Sequence, residues 1–214
     1  MSNLKRYQRG FIASGSVLTI LFLIVVNLLT TEKYLWFIYP VVLLLLLPLG
    51  LYCIYGKKNI LFQVVSSFSI LALLILENII KTPDYPWVLY AALPIILWPI
   101  LSILGKRNQN ISIASTISIL FILYYTLLNI FLAPSNPWAI FPAFAISWWP
   151  LTIYHIERKS YFAYSVSATL FISLFFISIN VFYSPNTIWA VYPIFAVLWW
   201  PLSMYYFHYR RAGS

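Results

Sequence analysis

Four tryptophans, Trp36, Trp87, Trp138 and Trp189, stand 51 residues apart, and four prolines, Pro48, Pro99, Pro150 and Pro201, keep the same interval. So do four asparagines, Asn27, Asn78, Asn129 and Asn180, a hydroxyl series, Ser16, Ser67, Ser118 and Thr169, and an aromatic series, Tyr39, Tyr90, Phe141 and Tyr192. A chain with one period running through five residue classes is expected to build one supersecondary unit four times. The units are read as 1–58, 59–109, 110–160 and 161–214, together making one membrane domain.

The composition says what kind of unit this is. Of 214 residues, 63% are hydrophobic and 8% charged, with a mean hydropathy of +0.89, whereas soluble domains sit near half and a quarter. Each unit holds two apolar segments long enough to cross a bilayer. The expected spans are 10–30, 35–55, 60–81, 86–105, 111–132, 137–156, 161–183 and 188–207. The fold class is an all-α integral membrane protein of eight transmembrane helices, arranged as four helical hairpins of the same orientation. The apolar run 10–29 is read as a retained first helix rather than a secretory signal, from its length and from the Thr30-Thr31-Glu32-Lys33-Tyr34 that follows it.

Charge placement sets the expected topology. The net charge is +9, but the basic residues do not form one soluble patch, so nucleic acid is not an expected partner. Lys5, Arg6 and Arg9, the links Lys57-Lys58, Lys106-Arg107 and Arg158-Lys159, and Arg210-Arg211 all fall on one side. Lys33 and Lys81 fall on the other, with Glu32 and Asp84. The positive-inside rule puts both termini on the cytoplasmic face of a plasma (inner) membrane, with the hairpin tips outside. The sequon Asn110-Ile111-Ser112 then lies on the cytoplasmic side and carries no glycan. Turn residues such as Ala133-Pro134-Ser135-Asn136-Pro137 make the tips tight. Because all hairpins insert alike, repeat symmetry runs along the membrane normal and inverted repeats are disfavoured.

The Asn and Ser/Thr series are 11 residues apart, about three helical turns, so they share a face of the first helix of each hairpin. Opposite the small residues around Ser16, Ser67, Ser118 and Thr169 stand bulky pairs next to proline, as in Trp148-Trp149-Pro150. Small against large, with hydroxyl and amide hydrogen bonds, is how helices pack in hydrocarbon. The same residues could instead ring a central path. The Trp and Pro series are read as structural, as interfacial anchors and helix kinks.

The stretch Asn129, Pro137-Trp138, Pro142, Trp149 and His155 resembles the bacterial 2TM-domain family, short two-helix membrane hairpins found alone or attached to sensor kinases. The resemblance implies a membrane or sensory role without a named ligand, with the hairpin recurring four times. It departs from the family pattern at Cys53, Leu104 and Tyr206, which occupy the His position, although His208 lies near the last of these, and at Ala91, where the other units have Pro40, Pro142 and Pro193.

Residues that break the period are the better functional candidates. Glu77 stands where the other units have Val26, Leu128 and Ile179, and is the only acid inside an expected span. Such a residue raises cation or proton binding as a hypothesis, against a plain interfacial placement. Gln63 replaces Ile12, Ala114 and Ser165 and lies on one stripe with Ser67, Ile70, Leu74 and Glu77. His155, beside Glu157 and Arg158, is the third. Catalytic and metal chemistry is not expected: there are two His, one Cys and four acids, with no zinc-protease, nucleophile-elbow or P-loop motif. No cofactor is expected. The chain is read as a non-enzymatic membrane module that acts through a membrane-protein partner or as a homo-oligomer, in a sensory, accessory or protection role. The alternative is a channel or transporter for a small ion or solute, with Glu77 and the Asn and Ser/Thr series lining the path.

Overall fold

The computed structural model describes residues 2–31 and 35–209. Glu32, Lys33, Arg210 and Arg211 lie outside the described residues, as do the side chains of Lys5, Arg6, Arg9 and His208. The described chain is all-helical. Its α helices are α1 (Ser2–Thr30), α2 (Ile38–Tyr55), α3 (Asn59–Lys81), α4 (Val88–Leu104), α5 (Ile111–Leu132), α6 (Ile140–Glu157), α7 (Tyr161–Tyr183) and α8 (Val191–Met204). A 3₁₀ turn, Gly105–Gln109, follows α4, and a π-helical turn, Tyr205–Tyr209, continues α8.

Among the described residues, six helices are long and apolar enough to cross a membrane: α1 within Gly10–Thr30, then α2, α3, α4 with its 3₁₀ extension, α5 and α7. These fit a multi-pass membrane protein. The remaining two fall short for identifiable reasons. Helix α6 carries two Trp, two Pro, His155 and Glu157 in 18 residues, and α8 has 14 residues before its hydrogen bonding changes to the π pattern.

Burial is inverted relative to a water-soluble protein. The largest side chains that are fully buried are Asn27, Cys53, Ser66 and Ser165, whereas Phe11, Leu29, Phe131 and Ile188 are almost wholly exposed. An aqueous solvent would select the reverse. In lipid the outer surface gains nothing by hiding Leu and Phe, and helices approach through small and polar residues.

The chain forms two compact units, Met1–Gly105 and Lys106–Ser214. In the first, α1 packs on α2 and α3 on α4, and the two hairpins meet through α2 and α3. The second is built alike: α5 on α6, α7 on α8, joined through α6 and α7. The α2–α3 and α6–α7 links close with the same backbone pattern. Lys58 N–H donates to the Cys53 carbonyl and Lys57 N–H to that of Ile54, and Ser160 N–H and Lys159 N–H do the same to His155 and Ile156. This is a Schellman closure, which calls for a left-handed residue usually met by glycine. Here the residues are Lys57 (φ 55°) and Lys159 (φ 51°).

Candidate functional site

The recurring asparagines sit buried at the last turn of the first helix of each hairpin, and each builds the turn above it. Asn129 Nδ2 donates to the carbonyls of Ala133 (2.7 Å) and Asn136 (2.8 Å), while its Oδ1 accepts from Ala139 N–H (2.9 Å). Asn180 donates to Ser184 (2.8 Å) and Thr187 (2.6 Å) and accepts from Trp189 and Ala190, both at 2.9 Å. Asn78 binds Thr82 and Tyr85 and accepts from Val88 N–H at 3.0 Å; Asn27 donates to Thr31 and accepts from Phe37 N–H. The return helices begin with Phe37, Trp87, Ala139 and Ala190 at the cap position, none of which caps with its own side chain. An asparagine about ten residues upstream supplies the acceptor that the free N–H groups of a helix start require. This displaces the return helices to 38, 88, 140 and 191, two or three residues later than the expected 35, 86, 137 and 188.

The hydroxyl series meets the proline series. A proline inside a helix removes the N–H that would serve the carbonyl four residues earlier. Pro150 thereby frees Ile146, and Ser118 Oγ donates to that carbonyl at 3.4 Å. Pro201 frees Val197, and Thr169 Oγ1 donates to it at 3.3 Å. Ser16 is buried at the matching place beside the helix that carries Pro48. Ser67 is equally buried and belongs with Pro99, but its Oγ has no partner. Gln63 Oε1 and Ser66 Oγ, on the same turn of α3, are also buried without a partner.

The tryptophans flank the tips. Trp87 Nε1 donates to Thr82 Oγ1 (2.8 Å), Trp138 meets Tyr125 edge-on at 5.7 Å, and Trp189 meets Phe176 at 6.0 Å. Trp36 is half-buried before α2.

Glu77 does not stand alone. Its carboxylate pairs with Lys81 at 3.0 Å, one turn further along α3. Lys81 reaches across to α2, donating to the Tyr39 hydroxyl at 2.9 Å with its ammonium 5.4 Å from the ring centre. The second unit joins its hairpins at the same positions, 102 residues on, with aromatic rings: Tyr183 lies 6.0 Å from Phe141. Glu77 therefore belongs to the seam between hairpins at their tips. Gln63 lies 14 residues away, about 21 Å along the helix, so the expected stripe does not bring it to Glu77.

At the opposite ends of the helices the units again use matching positions. Thr152 and Tyr164 share a hydrogen bond of 3.1 Å between α6 and α7. In the first unit Gly50 and Phe62 meet so closely that a methyl on Gly50 would come within 3.2 Å of the ring. His155 is buried beside the Thr152–Tyr164 bond of the second unit, with Nδ1 2.9 Å from Ser160 Oγ and its ring between Tyr154 and Tyr164. It staples the α6–α7 link. Asn110, of the sequon, caps α5 by accepting from Ser112 N–H at 2.9 Å.

Sequence reasoning took Ser66 only as a small packing residue, and missed the carbonyls that proline releases at Ile146 and Val197 and the left-handed lysines. The constant offset of 28 residues from hydroxyl to freed carbonyl was the available signal for the carbonyls. Among the described residues no group of His, Cys, Asp or Glu is placed to hold a metal ion. No family model, curated protein or solved structure matches this chain.

Proposed function

We propose that the chain is a non-catalytic membrane module of eight spans, with both termini cytoplasmic, that acts through partners inside a bacterial inner membrane in a sensory, accessory or protection role. The observation that carries this reading is the use of the recurring polar side chains. All four asparagines, with Ser118 and Thr169, bond to backbone within their own hairpins. Side chains so engaged are not available to line a continuous polar path. The likeness to 2TM-domain hairpins supports the same reading. What supports eight spans rather than six is pairing: α6 and α8 each return along a partner that has spanning length, and α8 gains a further turn at Tyr205–Tyr209.

With polar groups turned inward, recognition falls to the exposed apolar helix faces. Photoreactive residues placed singly at Phe68, Phe131 and Tyr192, all strongly exposed, should form an adduct of one defined mass from one face and only lipid adducts from the others. Lipid adducts at every position, together with solute flux above that of empty vesicles, would contradict the module reading. A channel or transporter is the second reading, and it draws on the three unpartnered oxygens of α3. Under it, flux would be present and Glu77→Gln would weaken it.

A further inference from the structure

The two units provide an internal comparison. Position by position, 102 residues apart, Gln63, Ser66 and Ser67 of α3 correspond to Ser165, Ala168 and Thr169 of α7. In α7 this turn is satisfied by protein alone. Ser165 Oγ donates to the Phe162 carbonyl at 2.7 Å, Ala168 has no polar atom, and Thr169 reaches the carbonyl freed by Pro201. In α3 all three positions are polar, and each has a buried oxygen with no protein partner. Ser66 is 1% exposed and Ser67 6%. A buried polar group left unpaired is costly, the more so in hydrocarbon where no solvent can reach it. Three on one turn demand a common occupant.

We propose that Gln63, Ser66 and Ser67 form a buried site for one water-sized neutral ligand, with the Ile95 carbonyl as the fourth group. Gln63 precedes the two serines by three and four residues, so the three oxygens share one arc of α3. Ile95 follows Ser67 by the same 28 residues that separate Ser118 from Ile146 and Thr169 from Val197, and Pro99 deprives its carbonyl of a helical donor. Ser67 lies with Ile96 and Pro99 on one groove of about 320 Å³ between α3 and α4, which places it at this level of α4. Two acceptors, the Gln63 amide oxygen and the Ile95 carbonyl, and two hydroxyl donors complement the two donors and two lone pairs of a water molecule. The set has no charged member, and the groove beside it is walled by Val64, Phe68, Leu71, Ile96 and Ile100, surroundings that disfavour an ion. Hairpin two thus joins hydroxyl to proline-freed carbonyl through a water molecule, where hairpins three and four join them directly. It holds whether or not the module has a protein partner.

The sign of a stability change tests this in the full chain. Ser66→Ala imports the residue that α7 carries at Ala168, so the fold accepts it. Removing an unsatisfied hydroxyl would raise Tm, whereas removing a ligand of a bound water should lower it by about 3 °C. A nanodisc map fine enough to show ordered water should place density within hydrogen-bond distance of Gln63, Ser66 and Ser67, and Tm should be equal in sodium and choline chloride. A raised Tm in Ser66→Ala, no density at the site, or a wild-type Tm higher in sodium than in choline would overturn the proposal, the last by making the occupant a cation.

Discussion

The hydroxyl of Thr169 donates to the carbonyl of Val197 at 3.3 Å, and Val197 is the residue whose helical donor Pro201 has removed. The kink and the hydroxyl are one device, repeated between Ser118 and Ile146 below Pro150. Proline bends the return helix and exposes an acceptor, and the facing helix supplies the donor. The result is a directional bond between two helices that otherwise meet through nondirectional apolar contact.

The coupling is testable as a cycle. Thr169→Val keeps the side-chain shape and removes the hydroxyl, and should cost about 1 kcal/mol in the wild-type background. Pro201→Ala returns an N–H to the Val197 carbonyl, so Thr169→Val in that background should cost much less. Measured by reversible unfolding in detergent, the two changes should be non-additive; equal costs in both backgrounds would separate the hydroxyl from the proline.

Asn180 holds four hydrogen bonds at its hairpin tip. Asn180→Asp keeps the acceptor for Trp189 and Ala190 but sets an anionic oxygen against the carbonyls of Ser184 and Thr187. Asn180→Ala removes every bond. Both should destabilise by about 2–4 kcal/mol, read as a Tm decrease of several degrees, with the tip between α7 and α8 becoming the first site of proteolysis.

Lys57 and Lys159 hold left-handed backbone at φ 55° and 51°, where a side chain costs roughly 1–2 kcal/mol. Glycine adopts this conformation freely but loses more entropy on folding. Lys159→Gly should therefore raise stability by about 0.5–1 kcal/mol while weakening the positive bias of its link. Thermal unfolding and a topology reporter at the C-terminus read the two effects separately.

The seam at Glu77, Lys81 and Tyr39 should be replaceable by its counterpart in the second unit. Glu77→Gln alone should cost about 1 kcal/mol or less, because Lys81 is 43% exposed and a pair with one exposed partner contributes little. Glu77→Ile with Lys81→Tyr and Tyr39→Phe reproduces Ile179, Tyr183 and Phe141, and should preserve folding as judged by monodisperse elution and Tm. Loss of folding in the triple variant would show that the seam depends on charge.

The period of 51 residues made the hairpins legible, because recurrence of Trp, Pro and Asn needs no knowledge of what each residue touches. The starts of the return helices were less legible. The expected starts each fall one residue before the recurring Trp, whereas the cap comes from Asn27, Asn78, Asn129 and Asn180 across the turn, a contact that depends on the finished hairpin. Glu77 read as an isolated acid because its partner Lys81 was assigned to the aqueous tip, although one helical turn separates them. The seams at Tyr39 and Lys81 or Thr152 and Tyr164 depend on the register between hairpins, which no local pattern encodes. The Lys57 and Lys159 closures were hidden for a different reason: glycine is the usual mark of a left-handed cap, and neither position has it.

The account stands on the recurring hydroxyls being sealed within hairpins, and aqueous thiol labelling measures that directly. Single cysteines at Ser16, Ser67, Ser118 and Thr169, in a Cys53→Ala background and in intact membranes, should all resist a charged maleimide until detergent unfolds the protein. Rapid labelling at several of these positions in the folded protein would place them along a water-filled path and contradict the account.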